Sequence, residues 1–186
     1  RRVLFRSGVA AITILLYGQF LFNAFYLGFT IGISPIVGFQ YGARNKQKLR
    51  NIYHTSFLFV AVSSVFMAVI AIVLSPTIVT IFTDDPATYE LAAAGFRLFA
   101  INFLFSGISI TSSGFFTALS NGTISAVISF CRTLGFIVLS LLILPKFLGI
   151  TGAWIAIPVA EFCTLLVTGV MHFVYFWKPG IRNYLR

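Results

Sequence analysis

Acidic side chains are almost missing from this chain, which carries four carboxylates in 186 residues: Asp84, Asp85, Glu90 and Glu161. Without paired catalytic acids, histidine pairs or ligand sets, a membrane enzyme is the weakest functional reading. Cysteine is nearly as scarce. Cys131 and Cys163 stand far apart with no CxxC or Cys/His spacing, so they read as small packing residues rather than redox or metal groups. His54 and His172 are isolated in sequence and propose no metal site. No Walker loop, dinucleotide glycine fingerprint or nucleophile elbow is present, and the sequon at Asn121-Gly122-Thr123 reads as a turn.

Charge of either sign is thin, at 9% of residues against 59% hydrophobic ones, with a mean hydropathy of +0.98. Such a composition excludes an ordinary soluble domain. Residues 7–43, 51–83 and 98–131 contain no charge at all. Each run exceeds the roughly 20 residues that cross a hydrocarbon layer. Only a helix satisfies its own backbone N–H and C=O groups in lipid, and barrel-type alternation is lacking. The expectation is therefore an all-α polytopic membrane protein with about five transmembrane helices.

Turn signals place those helices at about residues 9–41, 55–82, 87–119, 123–144 and 153–177. A bend is expected near Pro35. Residues 1–7 read like a translated sequencing-adapter tail and are set aside, leaving residues 8–178 as the membrane domain and 179–186 as a basic tail. The net charge of +9 does not indicate a nucleic-acid partner, because the cations sit in short loops between apolar spans. Loop 44–50 and the tail are basic, which predicts a cytoplasmic side for both; the acidic turn 84–86 is then external. Four crossings separate the loop from the tail, so charge and count agree. Tyr175 and Trp177 would sit in the interfacial aromatic belt.

Inside the spans the polar residues are periodic. Gln19, Asn23, Tyr26 and Thr30 share one helical face, as do Asn102, Ser106, Ser109, Ser113 and Thr117. Such faces turn away from acyl chains, either to hydrogen-bond with other helices or to line a cavity. The cavity reading is stronger for the larger Gln19 and Asn23. Arg132 and Glu161 are charges placed well inside spans. At 1.5 Å per residue they lie about 15 Å and about 24 Å from the cytoplasmic end, so a direct pair requires the arginine to reach outward. Ser125, Ser129 and Arg132 form one stripe and Glu161, Thr164 and Thr168 another; the two stripes are expected to meet. A packing ion pair and a proton relay both fit.

The string Gly32-Ile33-Ser34-Pro35-Ile36-Val37-Gly38-Phe39-Gln40-Tyr41-Gly42-Ala43-Arg44-Asn45 resembles the end of the eighth helix of MATE (multidrug and toxic compound extrusion) transporters. Ile155-Ala156-Ile157-Pro158-Val159-Ala160-Glu161 is similar to their last helix. The resemblance covers residues 8–177 and implies part of a six-helix lobe, helices eight to twelve of a two-lobed antiporter. It further implies rocking-type exchange of H+ or Na+ for a small organic, often cationic, substrate, with no cofactor. The implied partners are membrane lipid, a first lobe and one preceding helix, and the implied setting is the bacterial inner membrane. Some branches of that family carry an ion-binding acid in the tenth helix, and the stripe from Asn102 to Thr117 has none. A lipid-linked saccharide flippase of similar fold and a noncatalytic membrane anchor are the competing readings.

Overall fold

The computed structural model describes residues 2–177. Every element among them is helical: α1 Arg2–Gly42, α2 Lys46–Phe82, α3 Pro86–Phe99, α4 Asn102–Ala118, α5 Gly122–Phe130, a π turn at Cys131–Gly135, and α6 Phe136–Trp177, which is broken at Gly149. Grouped by length and apolarity, they make up to five spans. These are Val9–Gly42, Lys46–Phe82, the bent pair Thr88–Phe99 and Asn102–Ala118, Gly122–Gly149, and Thr151–Tyr175. At 1.5 Å per residue the 34 residues of the first span extend about 51 Å, so it tilts or projects beyond a hydrocarbon layer of about 30 Å.

Several boundaries differ from the sequence reading. Helix α2 starts at Lys46 rather than near residue 55, because Asn45 caps it and the next residues, Lys46 to Arg50, are good helix formers in the polar zone. The long third helix is two: it bends by 52° between α3 and α4. There Ile101, Phe103 and Leu104 donate to carbonyls three residues back instead of four, and no proline or glycine marks the spot. The fourth helix runs past Pro145 to Gly149, and α1 passes Pro35 without a break. The basic tail 179–186 lies outside the described residues. Tyr175 is buried against Phe116, their rings 5.1 Å apart and edge-on.

Two connections are built alike. After α1, Arg44 takes a left-handed φ of 53°, its N–H reaches Tyr41 O, and Asn45 N–H reaches Gln40 O. After α4, Ser120 takes φ 59°, its N–H reaches Thr117 O, and Asn121 N–H reaches Phe116 O. Both are Schellman closures. In each, the same asparagine then caps the next helix, Asn45 accepting from Lys48 N and Asn121 from Ile124 N. On the opposite side Asp85 caps α3 through Thr88 N, with Pro86 in the first turn.

Helix α4 lies at the centre and touches α1, α2, α5 and α6. Its length is rich in serine, threonine and glycine, which lets four neighbours approach closely. A core of Leu15, Phe22, Phe99, Phe103, Trp154 and Ile157 closes one end of the bundle, and Val37, Phe115, Phe116, Ile128 and Tyr175 fill the other. The outer face of α2 exposes Leu58, Val62, Phe66, Val69 and Val73, as a helix bordered by lipid does.

Candidate functional site

Helices α1 and α4 meet along a seam with two glycines. A methyl group at Gly107 would lie 2.6 Å from the Tyr26 ring and 2.7 Å from Ser64 Oγ, and one at Gly114 would collide with the Thr30 methyl. Tyr26, fully buried, and Thr30 therefore sink into α4. Thr30 gives its proton to Tyr26 O at 2.7 Å and sits 3.4 Å from Thr111 Oγ1.

Beside this seam the bundle opens into two adjoining clefts. The first, about 320 Å³, is lined by Gln19, Asn23, Arg132, Thr133 and Glu161 among others. The second, about 270 Å³, is lined by Thr30, Ser34, Ser109, Ser113, Thr117 and Ser129. Leu27, Ile110 and Arg132 border both, so the two form one groove between α1, α4 and the α5–π segment.

At the middle of the groove Arg132 Nε donates to Glu161 Oε1 at 2.9 Å, with the arginine side chain 17% exposed and the glutamate 1%. The reach that the sequence demands of Arg132 coincides with the π turn, where Phe136 N–H bonds to Cys131 O five residues back. A π turn inserts an extra residue into the helical circuit and re-aims the side chains beyond it. Among the described residues this pair is the hydrogen bond that joins the two stripes. Ser125 and Ser129 turn to α4, where Ser113 Oγ lies 2.9 Å and 2.7 Å from their hydroxyls, and Thr117 Oγ1 lies 2.7 Å from Ser125. Thr164 bonds back to Ala160 O.

Of the singled-out residues, Gln19, Asn23, Thr30, Ser109, Ser113, Arg132 and Glu161 border the groove. Tyr26, Asn102 and Ser106 line neither cleft, because α4 is enclosed on several sides and its upper polar residues are covered. Buried polar atoms without a hydrogen-bond partner include Asn23 Oδ1 and Glu161 Oε2 at the first cleft, and both amide atoms of Asn102 and Ser106 Oγ on the enclosed part of α4. Interiors rarely tolerate this. Thr133 joins the groove unforeseen, since it follows Arg132 and only the π turn brings it round.

His172, isolated in sequence, is not isolated in space. Its Nδ1 lies 3.2 Å from Tyr53 Oη and its Nε2 3.0 Å from Ser112 Oγ, while Ser112 gives its proton to Ile108 O at 2.7 Å. Ser112 has one proton and spends it on the carbonyl, so it accepts from Nε2–H; in the neutral ring Nδ1 then accepts from Tyr53. One directed chain of hydrogen bonds ties α2, α6 and α4 together. Phe57 and Phe116 pack on the imidazole.

Fold and groove define an all-α polytopic membrane protein with a polar furrow in its helix bundle. A family model described as MatE matches residues 6–142, and the chain belongs to the MATE family. It superposes on two solved structures at 20% identity. One is the outward-facing conformation of a multidrug resistance MATE family transporter of the MOP superfamily, at a TM-score of 0.84 over 91% of this chain and 38% of that one. The other is MATE in complex with MaL6, at 0.83 over 90% of this chain and 38% of that one. The chain thus spans well under half the length of either. Against curated proteins it finds no match.

Proposed function

We propose that this chain supplies part of one lobe of a secondary active antiporter, which exports small organic compounds in exchange for H+ or Na+. The observation that carries this is the groove itself, where polar side chains of α1, α4 and the α5–π segment surround an ion pair in the middle of otherwise apolar spans. A charge costs about 2.5–3.5 kcal/mol at a bilayer centre on insertion scales, so a pair kept there beside open clefts points to transport rather than to anchoring. Loop 44–50 faces the cytoplasm in this reading, and the setting is a bacterial inner membrane.

The flippase alternative asks for a strongly cationic cavity, and the cation bordering either cleft is Arg132. A noncatalytic packing role draws support from Asn102 and Ser106, which are enclosed on α4. Accumulation of a fluorescent drug separates these readings when measured in cells that make the protein at its full encoded length. Antiport predicts lower accumulation, restored to the level of empty cells when the coupling gradient is collapsed. Unchanged accumulation with both gradients intact would remove the exporter reading.

A further inference from the structure

A guanidinium offers five N–H donors. Arg132 uses one of them among the described residues, Nε to Glu161 Oε1, while the side chain remains partly exposed and borders both clefts. Its terminal nitrogens form a planar fork matched to the two oxygens of a carboxylate or phosphate. On the other side of the pair Glu161 Oε2 is buried with no partner. One bond at 2.9 Å thus joins two half-used groups, whereas a buried pair offsets its desolvation only when further hydrogen bonds satisfy its remaining atoms. Gln19, Asn23 and Thr133 stand around it in the first cleft, and Ser129 borders the second. The arrangement is a built polar site with charge at its centre.

We infer that this groove holds a subsite for an anionic group of the transported compound, bound on the free fork of Arg132 in competition with Glu161. This rests on the reading that organic compounds enter this face of the bundle. An incoming carboxylate takes the guanidinium, and Glu161, released from it, accepts one proton on its open oxygen, so the net charge in the groove is unchanged. Two carboxylates on one guanidinium in a low-dielectric setting would otherwise repel. Among the described residues no other charged side chain borders the first cleft: α1 contributes Gln19 and Asn23, α4 contributes Ile110, and Arg132 and Glu161 are the charged pair. Anion binding is thereby linked to proton uptake.

The test uses two probes with one aromatic body, 1-pyrenebutyrate and 1-pyrenebutyltrimethylammonium. Each is titrated by equilibrium dialysis into the protein at its full encoded length, held in phosphatidylcholine nanodiscs with no ion gradient. The carboxylate is expected to bind more tightly than the ammonium and to tighten as pH falls. Glu161→Gln should strengthen carboxylate binding roughly tenfold and flatten its pH dependence, since the competitor is gone. A pair that serves packing alone would give no such gain. Arg132→Gln combined with Glu161→Gln, which removes the pair without stranding a charge, should weaken it by roughly tenfold or more and leave the ammonium unaffected. Arg132→Lys, which keeps the charge but loses the fork, should fall between. Preference for the ammonium, or a Glu161→Gln protein that binds the carboxylate no better than the parent, overturns the proposal. So does a full-length protein that binds neither probe, which would assign the groove to helix packing. Because binding is read without a gradient, failed export and failed anion binding are separate results.

Discussion

At the scale of single residues, energetic weight falls on groups whose partners are few. Removing the Arg132 charge alone strands a buried carboxylate, so Arg132→Met should cost roughly 3–5 kcal/mol, whereas the double change with Glu161→Met should recover most of that. Thermal unfolding of the purified protein in detergent measures both; a double variant that loses as much as Arg132→Met would show that the stranded carboxylate carries no cost. The directed chain through His172 makes a finer prediction. Tyr53→Phe deletes the donor to Nδ1 and leaves a buried acceptor short, which should lower stability by roughly 1–3 kcal/mol. In a Tyr53→Phe/His172→Phe protein, the loss should be less than the sum of the two single changes. Additive losses in that cycle would mean that the hydrogen bond contributes nothing.

Helices, as elements, are set by their ends and by where they can touch. Gly149 holds φ 58° and ψ −136° where α6 turns back, a region that side-chain-bearing residues essentially avoid. A methyl group on Gly152 would strike the Leu144 carbonyl and its peptide, which cannot move without opening the turn. Gly149→Ala and Gly152→Ala should therefore each reduce folded yield far more than Gly169→Ala, whose added methyl meets nothing within 4 Å. Size-exclusion profiles of the three variants check this. At the two matching Schellman connections, Asn45→Ala and Asn121→Ala should each destabilise by about 1 kcal/mol through loss of the cap.

For the whole molecule, short connections between long helices require up to five successive spans to alternate across the bilayer. Loops 43–45 and 119–121 must open on one side and 83–85 on the other. With Cys131 and Cys163 replaced by alanine, Gln47→Cys and Ser120→Cys should react with an impermeant thiol reagent from one face of inverted or right-side-out vesicles, and Asp84→Cys from the opposite face. Labelling of Gln47→Cys and Asp84→Cys from the same face would break the topology. Much of this level was legible in advance, because a run without charge at residues 7–43 or 51–83 has no stable alternative to a spanning helix. The turn at residues 84–86 also announced the start of α3. The 52° bend at residues 100–101 did not show itself, since neither proline nor glycine stands there and the break is a matter of hydrogen-bond register.

Amino-acid order by itself determined that the chain crosses a membrane, roughly where, and on which helical faces its polar groups gather, because hydropathy and the 3.6-residue period are properties of the local chain. Only the tertiary structure decided which of those polar groups border a groove and which are sealed. Tyr26 and Gln19 share one stripe of α1, yet the first is buried because Gly107 lies opposite it, and the second faces the cleft. The same holds for Arg132 and Glu161, joined across 29 residues by a π turn, and for His172, whose two partners come from other helices. Contacts between distant segments depend on how helices pack around α4, and no periodicity within one helix encodes what its neighbour presents.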